Sequence, residues 1–369
     1  MKLAVLGPCY PFRGGIAHHT TRLVRELRRE HEVLFVSYTR QYPELLFPGR
    51  SDREPTPPRD PVQVEYLLDS VNPATWWRTA AAMARFRPQI ALFPWWVTFW
   101  APQVVSVATA VKARAGAEIV LLCHNVHEHE PSFAKKLITR NVFRVADRFV
   151  VQSQQEADKL RGLLPRAAVT VAHHPIYQDV GGPRVDKAEA RARLDIDGAK
   201  GPVLLFFGFV RPYKGLDLLL DAMTHLPAAT LLVVGELWRD AAQVRAQIAR
   251  LDLGGRVRLV DAYVPDPDVP LYFGAADVVV LPYRSASGSG VAQLALGSSR
   301  PMVVTDVGAL AEVVGDGVAG RVVPPNDPAA LAAAVGEVTD PANLSRFTRA
   351  AGERAGLFGW DQLARAVVG

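Results

Sequence analysis

The chain has 369 residues. That length predicts two domains, because a single domain usually holds about 100 to 200 residues. Apolar residues make up 49% of the chain and charged residues 21%, which excludes a disordered protein. The net charge of +5 is uneven: residues 1–183 carry 23 basic and 16 acidic groups, whereas residues 184–369 carry 19 and 21. We expect an anionic partner to meet the first half, and the dispersed charge argues against nucleic acid.

The cysteine content and the first residues bear on the compartment. Cys9 and Cys123 are the only cysteines, too few for a disulfide framework, and they fit a reducing compartment. The apolar run at the start ends at Gly7, which is too short for the core of a signal peptide and predicts a buried strand. We therefore expect a cytoplasmic protein, with peripheral contact to the cell membrane left open.

Short apolar runs alternate with helix-period stretches such as 20–29 and 156–164. Runs that are apolar throughout are typical of parallel strands covered on both faces. The predicted strands are 3–6, 33–37, 90–93, 119–123, 148–152 and 169–172 in the first half, and 203–207, 230–234, 257–260, 278–281, 302–305 and 321–323 in the second. This order predicts an α/β protein of two doubly wound, Rossmann-like domains facing a cleft. Gly181, Gly182 and Pro183 predict the boundary between them, and the proline-rich residues 44–61 predict a surface loop.

Residues 89–111 form an uncharged stretch long enough to span a membrane. Pro94 and Pro102 interrupt it, and several polar residues lie within it. We interpret the stretch as a buried strand over 90–94 followed by a buried helix over 102–112.

Glycines and cations follow several of the predicted strands. Gly14 and Gly15 follow the first strand and precede a helix, where free backbone N–H groups suit a phosphate; a plain tight turn is the alternative. Arg211 and Lys214 follow the strand over 203–207, where a guanidinium and an ammonium can hold a diphosphate, although two solvated loop cations would give the same pattern.

The small residues of the stretch from Tyr283 to Gln293 precede another helix and are typical of an anion-binding turn. Thr305, Asp306, Val307 and Gly308 form a further strand-to-helix turn. Together these turns predict that something phosphorylated binds at the strand ends of the second domain.

The ordered set of these motifs resembles the retaining nucleotide-sugar glycosyltransferases of GT-B fold, whose carboxyl-terminal half is often called the glycosyl transferases group 1 domain. The resemblance rests on the Gly14–Gly15 turn, on Gly208 to Gly215, on Tyr283 to Gln293, and on Arg300, Pro301 and the turn at 305–308 with Glu312. It implies that the second domain, 184–348, holds a nucleotide-diphosphate sugar, with UDP- and GDP-sugars the first expectation. It also implies that the first domain, 1–183, holds a carbohydrate or lipid-linked acceptor and is joined by a final helix within 349–369.

The resemblance also implies roles for particular residues. Arg211 and Lys214 match the cations on the donor diphosphate, and Gly14 and Gly15 match the loop that approaches it from the first domain. Ser289, Gly290 and Val291 match a segment whose backbone approaches phosphate and ribose. The remaining residues implied are Tyr263 and Val264 beside the nucleobase, His124 beside the transferred sugar, and Asn125 and His127 on the acceptor side.

The chain departs from that family at two carboxylates. Many relatives carry two glutamates eight positions apart where this chain has Ala286 and Leu294. Gln293 can still hydrogen-bond a ribose or sugar hydroxyl, and Ser287 or Ser289 can serve the sugar. Two alternatives to a transferase remain open, namely a non-catalytic nucleotide-sugar-binding subunit and a sugar-nucleotide epimerase of the same fold.

The implied chemistry uses cations in place of a metal. Arg211, Lys214 and backbone N–H groups would stabilise the charge that develops on the leaving diphosphate, so we expect no metal requirement. His124, His127 and His129 have no His-Glu-x-x-His spacing, which argues against a zinc site.

A basic stretch and an aromatic block in the first half raise the question of membrane contact. The basic residues are Arg22, Arg25, Arg28 and Arg29, and the aromatic ones lie at 76–77 and 95–100. Two interpretations stay open: a face that meets an anionic membrane, and a solvated helix face combined with core aromatics.

Overall fold

A computed structural model describes residues 1–43, 52–54, 57, 61–126, 133–177, 182–237 and 241–369. The chain divides into two compact units. Unit 1 comprises Met1–His174 together with Trp360–Gly369, and unit 2 comprises Pro175–Gly359.

Unit 1 is built on a seven-stranded parallel sheet in the order β3-β2-β1-β4-β5-β6-β7. The strands are β1 Lys2–Leu6, β2 Glu32–Arg40, β3 Glu65–Asp69, β4 Ile90–Trp95, β5 Glu118–Cys123, β6 Arg148–Val151 and β7 Ala168–Val171. Six of them confirm predicted strands. The sequence missed β3 because it is an edge strand in which only Leu68 is fully buried.

Helices cover both faces of this sheet. They are α1 Gly15–Leu27, α2 Pro73–Phe86, α3 Ala101–Ala115, α4 Phe133–Phe143, α5 Gln154–Leu163 and, from the far end of the chain, α14 Trp360–Val368. The core residues of α1 and α14 pack on one face. Those of α2, α3, α4 and α5 pack on the other, as right-handed crossovers in this strand order require.

Unit 2 is built on a six-stranded parallel sheet in the order β10-β9-β8-β11-β12-β13. The strands are β8 Val203–Phe207, β9 Thr230–Val234, β10 Val257–Val260, β11 Val278–Leu281, β12 Met302–Thr305 and β13 Gly320–Val323, which confirms all six predicted strands of the second half. The helices are α6 Lys187–Arg193, α7 Leu216–Ala222, α8 Ala241–Arg250, α9 Val269–Ala275, α10 Gly290–Gly297, α11 Leu310–Val314, α12 Pro328–Thr339 and α13 Pro341–Ala355.

The unit boundaries differ from the predicted ones. The predicted boundary follows residue 183 and the predicted returning segment is 349–369, whereas the chain changes units after His174 and again after Gly359. The reason is local pairing inside unit 2: the backbone N–H of Ile176 donates to the carbonyl of Phe358 at 3.0 Å, and both side chains belong to one buried cluster. Helix α13 stays in unit 2 because Ala351 and Ala355 pack into the same cluster.

The uncharged stretch 89–111 is folded as predicted. It forms β4, a 3-10 turn at Thr98–Trp100 and most of α3, and Trp95 and Trp100 are core residues. None of the helices in the described part of the chain is long and apolar enough to cross a membrane.

Candidate functional site

The predicted donor residues of unit 2 follow strands at the carboxyl edge of its sheet. Strand β8 ends one residue before Gly208, which has φ +93°. A Cβ on Gly208 would lie 3.0 Å from Lys214 Nζ and 3.6 Å from Val291 Cγ2, so the glycine leaves space into which Lys214 reaches. Gly208, Lys214 and the start of α10 are thereby brought together.

Lys214 is a cation that has no ion-pair partner among the described residues. It ends a 3-10 turn, Pro212–Lys214, and its Nζ lies 5.6 Å from the centre of the Tyr283 ring. No carboxylate of the described residues pairs with it. Burial and the neighbouring Arg211 charge lower the pKa of Lys214 to about 8, and burial lowers the pKa of Arg211. An anion bound between them would relieve both penalties.

Arg284 braces the loop that carries these cations. Its Nη1 donates to the carbonyl of Pro212 at 2.8 Å, and its two Nη atoms contact the Asp217 carboxylate at 2.8 and 2.6 Å. Its backbone N–H donates to the carbonyl of Tyr213 at 2.7 Å. Sequence reasoning gave Arg284 no role, because its ion pair with Asp217 spans 67 residues of chain.

The start of α10 presents a backbone suited to an anion. Ser289 is the N-cap residue, and its Oγ accepts from the N–H of Ala292 at 3.3 Å. Gly290 and Val291 lie in the first turn, where N–H groups have no acceptor within the helix. A Cβ on Gly290 would lie 3.7 Å from the Tyr177 ring.

Gln293 is placed differently from its predicted role. Its side chain is fully buried, and neither amide atom has a hydrogen-bond partner among the described residues. A ligand hydroxyl therefore reaches it only if the surroundings of α10 open. At the two positions where relatives carry glutamates, Ala286 and Leu294 pack against the core.

Two aromatic rings lie near the cations at the same edge. Tyr263 follows β10 and stacks on Phe209, with ring centres 6.3 Å apart and an angle of 28° between planes. Val264 is half-buried beside Tyr263. Sequence reasoning missed Phe209, although an aromatic residue directly after the strand-end Gly208 was an available signal.

The glycine turn of unit 1 is open. Gly14 has φ +112° and is the N-cap of α1, and Gly15 is the first residue of that helix. A Cβ on either would meet nothing within 4 Å. The turn therefore leaves open space beside both glycines, which a ligand that approaches the backbone closely requires.

His124 follows β5 and packs in a group with His19 and His174. Its ring lies 4.7 Å from that of His19, which lies 4.8 Å from that of His174. Gln152 Nε2 is 2.9 Å from His19 Nε2. Burial lowers the pKa of His124 to about 3 and holds that of His19 well below its usual value.

The other acceptor-side candidates are placed as follows. The side-chain amide of Asn125 donates to the carbonyl of Trp96 at 3.2 Å, so it supports the backbone beside β4. His127 lies outside the described residues. In the described ranges no cluster of three or more His, Cys, Asp or Glu side chains is arranged to hold a metal.

The histidine group predicts a pH dependence of stability. Below pH about 6.5 His124 becomes protonated in the unfolded chain but stays neutral in the folded protein. The free energy of unfolding therefore falls as the pH drops, by about 2 kcal/mol for His124 between pH 7 and 5. Carboxylates whose pKa is lowered, such as Asp277, titrate below this window. Urea unfolding at both pH values should show a smaller drop in His124→Gln than in the parent; an unchanged drop in that variant contradicts the assignment. The exposed His225→Gln is the matched control.

Solved structures share this fold over nearly the whole chain. A sucrose-phosphate synthase from Thermosynechococcus elongatus has 20% identity and a TM-score of 0.75, and the alignment covers 99% of this chain and 96% of that one. The Anabaena protein HepE in complex with UDP has 19% identity and a TM-score of 0.77, with coverage of 100% and 98%. With two Rossmann-like units and these neighbours, the fold is GT-B, as the resemblance implied.

Family models match both units. Glycosyltransferase Family 4 matches residues 13–179, and Glycosyl transferases group 1 matches residues 201–340. The chain belongs to the GT-B glycosyltransferases that combine these two family domains.

Curated relatives match over part of their length. A D-inositol 3-phosphate glycosyltransferase from Catenulispora acidiphila is 35% identical over 236 residues, which are 60% of this chain and 56% of that protein. One from Mycolicibacterium vanbaalenii is 32% identical over 246 residues, which are 62% of this chain and 53% of that protein. The match thus spans about half the length of these relatives.

Proposed function

We propose that the protein is a retaining glycosyltransferase that moves a sugar from a nucleotide-diphosphate sugar, a UDP- or GDP-sugar, to an acceptor hydroxyl without a metal ion. The observation that carries the proposal is Lys214, a cation without a described counter-ion, next to Arg211 at the carboxyl edge of the unit 2 sheet. These two cations suit a diphosphate. Membership of a glycosyltransferase family supports the transfer of a sugar from that diphosphate.

The residues of the donor site act by stabilising charge and form no covalent bond with the sugar. The bond between the sugar anomeric carbon and the phosphate oxygen breaks, and the bond from that carbon to the acceptor oxygen forms on the same face. The acceptor proton passes to the leaving phosphate. Arg211, Lys214 and the N–H groups at Gly290 and Val291 would stabilise the negative charge on the diphosphate, which is the role that metals play in other enzymes.

The donor base and sugar have separate candidates. The stacked pair of Phe209 and Tyr263 offers a flat apolar surface for a base close to the cations. Ser289 and Ser287 are the hydroxyl groups that we assign to the sugar. Because Gln293 is fully buried, its amide would meet a donor hydroxyl only if the residues around α10 move.

The acceptor side belongs to unit 1. His124 lies at the end of β5 and is neutral, so it can donate or accept one hydrogen bond and orient a hydroxyl without acting as a nucleophile. The basic excess of residues 1–183 favours an acceptor that carries phosphate, either a free sugar phosphate or a lipid-linked carbohydrate. The names of the curated relatives, which refer to inositol 3-phosphate, agree with a phosphorylated acceptor.

The apolar residues at Ala286 and Leu294 favour one second candidate, a subunit that binds a nucleotide sugar without turning it over. A panel of UDP-, GDP-, dTDP- and ADP-sugars, measured by thermal shift and by release of nucleotide with and without sugar phosphates, separates the two. Stabilisation with turnover supports the transferase, and stabilisation without turnover supports the binding subunit. If no member of the panel stabilises the protein, both are wrong.

A further inference from the structure

A cavity of unit 2 lies between helices α9 and α10. Its volume is about 30 Å³, and one water needs about 10–15 Å³, so the cavity has room for more than one small polar group. Apolar side chains of both helices form its walls, among them Val269, Phe273 and Leu294. The charged part of its lining consists of Arg184 and Arg300, and none of the described lining residues is an aspartate or a glutamate.

Backbone carbonyls hold both guanidinium groups on one side. Arg300 donates from Nε to the carbonyl of Phe273 at 2.7 Å and from Nη2 to that of Gly274 at 3.1 Å. Arg184 donates from Nη2 to the carbonyl of Gly297, the last residue of α10, at 2.8 Å. Among the described residues no acceptor is found for Nη1 of either arginine or for Nε of Arg184. Both side chains are therefore fixed in place, with N–H groups left for a ligand.

Cations outnumber acids around this cavity. Lys187 and Arg191 of α6 both pair with Asp277, at 2.7 and 2.6 Å. Burial lowers the pKa of Arg300, Asp277 opposes that shift, and the charges of Arg184 and Arg191 lower the pKa further. Four cations thus share one carboxylate, and an anion bound in the cavity would reduce the electrostatic cost of holding them together.

The cations lie at the amino edge of the unit 2 sheet. Arg300 comes shortly before β12, and Asp277 directly precedes β11 and accepts from the backbone N–H of Val203, the first residue of β8, at 2.8 Å. Arg211 and Lys214 follow β8 at the carboxyl edge of the same sheet. The cationic end of the cavity is therefore at the opposite edge of the sheet from the candidate donor site.

Two nearby features do not account for this arrangement. Asp186 lies close to Arg184 in the chain, but its carboxylate accepts from the N–H groups of Ala188 and Glu189 at the start of α6. Capping of helix C-termini accounts for the bonds of the two arginines to backbone carbonyls. It does not account for the remaining N–H groups of Arg184 and Arg300, or for the presence of both side chains in one cavity without a carboxylate.

We propose that Arg184 and Arg300 form a binding site for a phosphate group, separate from the candidate donor site. A phosphate offers several acceptor oxygens and nearly two negative charges at neutral pH, which matches two guanidinium groups that no carboxylate neutralises. A carboxylate brings only one charge and matches less well. The ligand is inorganic phosphate or the phosphate group of a small ester whose body lies against Phe273 and Leu294.

Calorimetric titration of the full chain tests the proposal. It uses the Arg211→Ala/Lys214→Ala variant, which lacks the cations of the candidate donor site. We expect inorganic phosphate to bind this variant with a Kd below about 1 mM and acetate to bind at least about tenfold more weakly. Equal affinity for acetate, or no binding of phosphate at about 10 mM, overturns the proposal. Because the variant lacks the donor cations and no sugar nucleotide is present, failure here is distinct from failure of the proposed transferase.

Substitutions on the same background identify the residue responsible. Arg184→Gln should weaken phosphate binding at least about tenfold, and Arg184→Lys should restore part of the loss. Arg193→Gln is the matched control, because it makes the same charge change at an exposed arginine of α6 that does not line the cavity. Unchanged affinity in Arg184→Gln would show that Arg184 only caps α10, and an equal loss in Arg193→Gln would show an effect of net charge; either result overturns the proposal.

Labelling of arginines with phenylglyoxal, followed by peptide mass spectrometry, gives a second measurement on the unsubstituted chain. Phosphate at about ten times its Kd should slow labelling of Arg184 at least about fivefold and leave labelling of Arg193 unchanged. Equal labelling of Arg184 with and without phosphate contradicts the site. Phenyl phosphate distinguishes the two sources: tighter binding than inorganic phosphate identifies an ester with an apolar body, and weaker binding identifies the free ion.

Discussion

Lys214→Ala is expected to lower the rate of sugar transfer by roughly a hundredfold or more and to weaken binding of the nucleoside diphosphate roughly tenfold. The reason is geometric and electrostatic. Lys214 Nζ lies beside Gly208, which has no side chain to block it, and no described carboxylate neutralises its charge. The measurements are turnover of the donor found in the nucleotide-sugar panel and calorimetric titration with UDP and GDP. Lys200→Ala, an exposed lysine of the same unit, should leave both unchanged.

The pH dependence of diphosphate binding distinguishes a contact with the Lys214 charge from a purely structural role of Lys214. With a pKa of about 8, Lys214 in the unliganded protein loses its proton as the pH rises above 8, so affinity for the diphosphate should fall there. Lys214→Arg keeps its charge and should bind with a flat profile over the same range. Full affinity in Lys214→Ala, or the same alkaline fall in Lys214→Arg, would show that the diphosphate lies elsewhere.

Gly215→Ala is expected to destabilise unit 2 by about 3 kcal/mol or more, among the largest effects of a single added methyl group in this chain. Gly215 has φ +67°, and a Cβ there would lie 2.0 Å from the carbonyl oxygen of Pro282. Relief requires the turn at Pro212–Lys214 to move away from the loop that Arg284 holds, so affinity for the diphosphate should fall as well. Chemical unfolding and titration with UDP measure the two effects.

A glycine in an ordinary helical position provides the control. Gly336 is exposed in the interior of α12, and a Cβ there would meet nothing within 4 Å. Gly336→Ala should stabilise the protein by about 1 kcal/mol, because alanine is the better helix former. Equal stability changes in Gly215→Ala and Gly336→Ala would contradict the steric argument.

The buried strands were predictable because their chemistry is local. Runs such as β8 and β11 are apolar throughout, and a parallel sheet with helices on both faces is what buries them. Strand β3 escaped prediction, since it lies at the edge and has one fully buried residue among exposed and half-buried ones, which does not distinguish it from a loop.

The candidate site was predictable only where its residues lie close together in the sequence. Arg211 and Lys214 lie within four residues of each other directly after β8, so their proximity follows from sequence. The brace from Arg284 to Asp217 and the packing of His19 against His174 join residues far apart in the chain, and no local pattern encodes them. Gln293 illustrates a further limit: its amide suits a ligand hydroxyl, but its burial follows from packing that no motif shows.

Unit 1 is completed by a helix that is synthesised after unit 2. Helix α14 buries Leu363 and Val367 against the face that α1 also covers, and Arg148 donates to the carbonyls of Ala366 and Val367. During synthesis, residues 1–174 therefore leave the ribosome without one wall of their core, and all of unit 2 is made before that wall arrives. The parts of α1 and of the sheet that α14 covers are not buried during that interval, so the order of translation makes completion of the first unit depend on prior synthesis of the second.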